Sequence, residues 1–71
     1  MQIIPELVEI DYTNWRGERS KRVVRPQRIW FGSNEWHSEK QWLLDAVDVS
    51  KDEQRTFTMI DIHSWQTAPR K

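Results

Sequence analysis

Residues 7–14 alternate apolar and polar side chains, with Val8, Ile10 and Tyr12 set against Glu9, Asp11 and Thr13. A period of two sends successive side chains to opposite faces of an extended chain, so this segment predicts a strand with one face toward a core. Asn14-Trp15-Arg16-Gly17-Glu18 then reads as a turn, where Gly17 takes a positive φ without steric cost. Alternation resumes over residues 19–25. Arg22 and Val24 share one face there, and Lys21, Val23 and Arg25 the other. Together the two segments predict a β-hairpin.

Pro26 interrupts the second run, as proline does at strand starts, edges and bulges. Arg28-Ile29-Trp30-Phe31 predicts a third strand, ended by Gly32-Ser33-Asn34, and residues 35–41 read as an exposed loop around Trp36 and His37. Residues 41–49 fit two structures. As a strand, Trp42, Leu44 and Ala46 line one face; as a helix, Ser38 to Gln41 forms a capping box and Trp42, Leu43, Ala46 and Val47 a stripe. After a charged turn at residues 50–54, residues 55–63 predict a further strand. Phe57 and Met59 lie on one of its faces and Ile60 and Ile62 on the other, a change of phase that places a bulge near Ile60. Residues beyond Ser64 read as a loose tail in which Trp65 could fold back. Five short strands joined by tight turns favour a small barrel or sandwich.

A chain of 71 residues is expected to form one domain over residues 1–71, with a core at about 7–64 and a flexible C-terminal tail at 66–71. Only 37% of the residues are hydrophobic, but five are tryptophan. Each tryptophan buries roughly 150–250 Å², which offsets a shortage of aliphatic side chains. There is no cysteine, so disulfide and thiolate chemistry are excluded. The N-terminal Met1-Gln2-Ile3-Ile4-Pro5 lacks the charged start and apolar run of a signal peptide, and no apolar stretch approaches the ~18 residues of a membrane span. A cytoplasmic, stand-alone module with no membrane contact is the expectation.

Formal net charge is zero, yet the charge is divided. Residues 15–30 hold six basic residues (Arg16, Arg19, Lys21, Arg22, Arg25, Arg28) against Glu18, a balance of +5. Residues 31–53 hold six acids against Lys40 and Lys51, a balance of −4. Partners respond to local potential rather than to the sum, and guanidinium groups pair in bidentate fashion with phosphate or carboxylate.

Several collinear pieces resemble the WYL domain family of bacterial regulators, over about residues 7–62. They are the strand ending in Tyr12 with Arg16-Gly17-Glu18 behind it, Arg22-Val23-Val24-Arg25-Pro26, Ile29-Trp30-Phe31-Gly32, Trp42-Leu43-Leu44 with Ala46, and Arg55-Thr56-Phe57-Thr58-Met59-Ile60-Asp61-Ile62. The resemblance implies a mainly β fold, a small Sm-like β-barrel of about five antiparallel strands, and it assigns residues 41–49 to a strand. It also implies transcription regulation through sensing of nucleotides or single-stranded nucleic acid, with Arg22, Arg55 and Tyr12 on the matching positions. Two positions depart from the family pattern. Leu43 stands in place of the motif tyrosine, removing a hydroxyl and a stacking surface. Asp61 stands in place of an arginine, reversing the charge.

The candidate ligand- or nucleic-acid-binding residues are therefore Tyr12, Arg16, Arg19, Arg22, Arg28, Trp30 and Arg55. The arginines would contact phosphate, with Arg22 and Arg28 foremost and Arg16 and Arg19 adding reach from the turn; Tyr12 or Trp30 would stack on a base. Against this stands a plainer reading, in which the arginines pair with Glu9, Asp11, Glu18 and the acidic half. Trp42 reads as core, while Trp15 and Trp36 are either binding anchors or caps on the ends of a barrel. A protein-interaction module, docking onto a partner or onto itself through the dipolar surface, is the alternative function. No motif sets a serine beside a base, marks a catalytic carboxylate pair or forms a phosphate loop, so no enzyme and no cofactor is expected. His37 and His63 do not suggest a metal site.

Overall fold

A computed structural model describes residues 6–68. The fold is mainly β, with five strands joined in one antiparallel sheet: β1 (Val8–Thr13), β2 (Arg19–Gly32), β3 (Gln41–Asp48), β4 (Glu53–Thr58) and β5 (Ile62–Thr67), in the spatial order β4-β3-β2-β1-β5. A single 3-10 turn at Met59–Asp61 links β4 to β5. Among the described residues no helix is long and apolar enough to cross a membrane.

The alternation in β1 is realised: Val8, Ile10 and Tyr12 are buried and the residues between them are half-exposed. The turn behind β1 is built by Asn14. Its side-chain oxygen accepts the amide N–H groups of Arg16 and Glu18, both at 2.9 Å, and Gly17 takes φ +82°. β1 and β2 then pair in the expected hairpin, with Val8 opposite Val24 and Ile10 opposite Arg22.

Residues 19–25 and 28–31, expected as two strands, form one strand of fourteen residues. Pro26 does not end β2; the ladder to β3 shifts register between Pro26 and Arg28, so Gln27 is an extra residue in a bulge. Before the bulge the even-numbered residues share the face of Ile10, and after it Ile29 shares that face, opposite Leu44, while Trp30 takes the other, opposite Leu43. Such a long strand pairs with β1 through its first half and with β3 through its second.

Residues 41–48 are a strand, as the resemblance implied. The phase change after Phe57 comes from the 3-10 turn rather than from a bulge inside one strand, and it ends β4 at Thr58. The expected tail differs as well. Gln66 and Thr67 belong to β5, paired to Glu9 and Val8, and Ala68 donates its N–H to the Leu7 carbonyl at 2.9 Å. The remainder of that tail, residues 69–71, and the N-terminal residues 1–5 lie outside the described residues.

Val8, Ile10, Tyr12, Val24, Leu44, Ala46 and Phe57 form the core on the concave face, with Met59 and Ile62 packed against it. Tyr12 and Phe57 meet edge to face at 4.9 Å between ring centroids. Among the described residues no ladder joins β4 to β5, so the sheet they form is open at both edges where the resemblance implied closure into a barrel. Trp42, expected in the core, is 56% exposed. It lies beyond Leu44 at the end of the concave face, against an equally exposed Phe31 at 5.3 Å.

Candidate ligand site

Two asparagine-centred turns hold tryptophans out toward water. Besides the Asn14 turn, Asn34 accepts the amide N–H groups of Trp36 (2.9 Å) and His37 (2.8 Å) on its side-chain oxygen. Asparagine side chains favour such local closure because they imitate a backbone turn. The result is that Trp15 and Trp36 are 84% and 79% exposed. Both belong to the wall of a cavity of about 900 Å³, together with Asn14 and His37. Its floor is the β4 segment from Glu53 to Phe57 and the inner side of Tyr12.

Charge at this cavity is loosely held. Arg55 lies 3.7 Å from Glu53, and both side chains are substantially solvated, so the pair is weak and screened. Arg16 stacks its guanidinium over the Trp15 ring at 4.9 Å. An exposed cation–π contact of this kind contributes about 0.5–1 kcal/mol. One arginine, Arg55, and two indoles thus line one opening, and Arg16 rests against the indole of Trp15.

The other candidate residues are distributed differently. Tyr12 is buried, so its ring offers no open stacking plane. Its hydroxyl oxygen accepts the Thr58 N–H at 3.3 Å and meets the Thr58 hydroxyl at 3.3 Å. Arg19 makes a bidentate pair with Asp11, at 2.9 and 3.0 Å. That bond, only partly opposed by desolvation, holds the Asp11 carboxyl below its ordinary pKa. Arg22 and Arg28, the foremost candidates for phosphate contact, lie on opposite faces because of the bulge at Gln27. Arg22 turns inward and bonds Asp48 at 3.2 Å. Asp48 is 1% exposed and also accepts the Ser50 amide N–H (3.1 Å) and hydroxyl (2.8 Å). Burial works against the Asp48 charge, but these three donors outweigh it and hold its pKa below the usual carboxylate value.

Arg28 faces outward, donates to Asp45 at 2.9 Å and covers the Trp30 ring at 5.1 Å. Burial again opposes the Asp45 charge; Arg28 and the Thr56 hydroxyl at 2.9 Å overcome it, and the carboxyl titrates below its ordinary value. The Trp30 indole N–H also favours that charge, without reaching hydrogen-bond geometry. The Trp30 ring also lies against Gly32, where a Cβ would sit 2.6 Å from it. Trp30 is accordingly half-buried, with the Arg28 guanidinium in the place a stacked base would take.

Most of the basic stretch is accordingly matched by carboxylates within the sheet, the plainer of the two readings of its charge. The positions that motif reasoning passed over are Asn14, Asn34 and His37. Their signal was present, since an asparagine stands one residue before Trp15 and two before Trp36. Asp61, the departure from the family pattern, accepts the Thr58 hydroxyl and so ties the 3-10 turn to the end of β4. Leu43, the other departure, is fully buried. Among the described residues no three His, Asp or Glu side chains gather where a metal could be held.

The WYL domain family model matches residues 5–67, and the chain belongs to that family. WYL domains are regulatory domains with ligand-sensing or nucleic-acid-related roles. No curated protein and no solved structure matches the chain.

Proposed function

We propose that this WYL domain is a non-catalytic regulatory module that binds a nucleotide, or one nucleotide of a single strand, in the cavity between Trp15 and Trp36. The observation that carries the reading is the pair of solvated indoles on opposite turns of one opening, with Arg55 on its floor. Large aromatic rings held in water by purpose-built turns gain most when a flat partner covers them. Arg55 supplies the phosphate contact, because its tie to Glu53 is long and solvated and yields to a better anion. Arg16 adds a second cation from the Trp15 side. Arg19, Arg22 and Arg28 take a structural part, each already paired to an aspartate.

The test is a tryptophan fluorescence titration with nucleoside monophosphates and with short single-stranded DNA and RNA, at low and moderate salt. Saturable quenching is expected. Trp36→Ala should weaken it by roughly ten-fold, the stacking contribution of one base, and Arg55→Ala should weaken the phosphate-bearing ligands but not a free nucleoside. Saturation by mononucleotides identifies a nucleotide sensor, whereas a response confined to oligonucleotides identifies a strand binder. Absence of any response at low salt, or binding indifferent to both substitutions, overturns the proposal.

A further inference from the structure

β4 borders the Trp15–Trp36 cavity and is an edge of the sheet, paired among the described residues with β3 alone. In an antiparallel ladder successive residues point their main-chain N–H and C=O groups alternately toward a neighbour and away from it. Bonds at two separate places fix the phase here. The Val23 carbonyl accepts the Val49 N–H at 3.2 Å, so Val23 points its main chain toward β3, and Arg25, opposite Val47, does the same. Val47 therefore faces β2, Ala46 and Asp48 face β4, and their partners Arg55 and Glu53 face β3. Gln54 and Thr56 are left pointing outward. The Thr58 N–H, two residues further, donates to the Tyr12 hydroxyl at 3.3 Å, which is the same phase.

The side chains of Gln54 and Thr56 are engaged elsewhere: Thr56 donates to Asp45 on the convex face, and Gln54 donates to Gln27. What these two residues bring to the cavity is their main chain, and among the described residues no partner bonds its outward groups. The free run is short. It stops at Thr58, where Tyr12 takes the next amide, and the chain turns at Asp52 with φ +52°. Strands run to about three residues or more, so this edge is too brief to hold an added peptide strand. The Gln54 carbonyl and the Thr56 N–H nonetheless form one closely spaced acceptor–donor pair. Every nucleobase carries the complement on its Watson–Crick edge. Adenine and cytosine set an amino donor beside a ring nitrogen acceptor, and guanine and uracil set a ring N–H beside a carbonyl.

We propose that the Gln54 carbonyl and the Thr56 N–H read the Watson–Crick edge of an unpaired nucleobase. The inference rests on the nucleotide proposed for this cavity and adds how its base is held. A base within a duplex has already spent that edge, so the site admits single strands and free nucleotides and refuses paired ones. Since each base carries the donor–acceptor pair, and stacking on an indole is tolerant of sequence, the site accepts all of them.

The test is a tryptophan fluorescence titration of the full chain with uridine monophosphate and with its N3-methyl derivative, which differ only at that edge. Thr56→Pro and Thr56→Val are measured beside the wild type. Proline removes the outward N–H and is tolerated at such a position of an edge strand. Valine keeps the N–H and, like proline, lacks the hydroxyl that bonds Asp45. N3-methylation should weaken binding by about ten-fold, the effect of some 1.4 kcal/mol. Thr56→Pro should weaken uridine monophosphate by a similar factor, and Thr56→Val should match the wild type. In amide spectra the Thr56 resonance should shift as uridine monophosphate saturates, and this readout decides the matter even where the proline variant does not fold. Absence of binding by either nucleotide at low salt removes the nucleotide proposal and this inference with it. Equal affinity for the two nucleotides, equal losses in the proline and valine variants, or an unmoved Thr56 amide overturns this inference alone. So does a Thr56 amide that follows protein concentration in place of nucleotide, the sign of a second copy on the edge.

Discussion

β2 contributes two arginines, each paired to an aspartate of β3, and the two pairs behave differently. Arg22–Asp48 lies on the concave side, with side chains 18% and 1% exposed; Arg28–Asp45 lies on the convex side, at 66% and 16%. Both aspartates are held below their ordinary pKa. At Asp48 the arginine shares the work with Ser50, and the carboxylate is sealed beneath the end of the core. At Asp45 the guanidinium remains in water, stacked on an indole. Removing one partner of a buried pair strands the other charge, whereas a surface pair mostly exchanges one solvated state for another. What an arginine is worth, and whether it remains available to a ligand, therefore depends on which face of the sheet receives it.

The largest expected effect follows from removing the buried carboxylate. Asp48→Ala should cost about 3–5 kcal/mol in urea denaturation, with little dependence on salt. Because the folded-state pKa of Asp48 lies below the ordinary aspartate value, its stabilisation is complete above that ordinary value. It is lost as the pH falls through the lower, folded value. The variant should lack this part of the acid-induced loss of stability, and an unchanged acid profile would place the dependence elsewhere.

An intermediate effect is expected at Gly32. Its Cβ would stand 2.6 Å from the Trp30 ring, so Gly32→Ala must displace the indole on which Arg28 rests. Overpacking of this kind costs about 1–3 kcal/mol, with a shift in tryptophan emission. An unaltered spectrum would mean that the ring does not lie over Gly32. The smallest effect belongs to Arg28→Ala, at about 0–1 kcal/mol and shrinking in high salt. Were its cost to equal that of Asp48→Ala and resist salt, the contrast between the two faces would collapse.

Local pattern carried much of this fold. The alternation of Val8, Ile10 and Tyr12, the Gly17 turn and the shared face of Arg22 and Val24 all follow from a period of two, which needs no knowledge of distant residues. Pro26 was legible as an interruption, but whether a proline ends a strand or bulges it depends on the partner strand, here twenty residues downstream at Ala46. β5 was hidden for a related reason. Its Ser64, Gln66 and Thr67 carry no apolar alternation, and the strand exists because β1 offers it a backbone ladder. Trp42 misled because an apolar motif residue on the core-facing side is normally covered, and nothing in its neighbourhood told that the core ends at Leu44. In the cavity, the exposed tryptophans and Arg55 were individually visible. Their convergence was not, since the walls come from turns about twenty residues apart and the floor from a third segment.

The bulge at Gln27 acts on β2 as a frameshift acts on a message. Upstream of it one parity of residue number means the face that carries Ile10 and Leu44, and downstream the same parity means the opposite face. Excision of that single residue would restore the frame and exchange the addresses of everything beyond it, presenting Ile29 and Phe31 on the convex side and turning Arg28 and Trp30 toward the core. One uncharged glutamine, holding only a side-chain bond to Gln54, thereby separates two incompatible decodings of the strand.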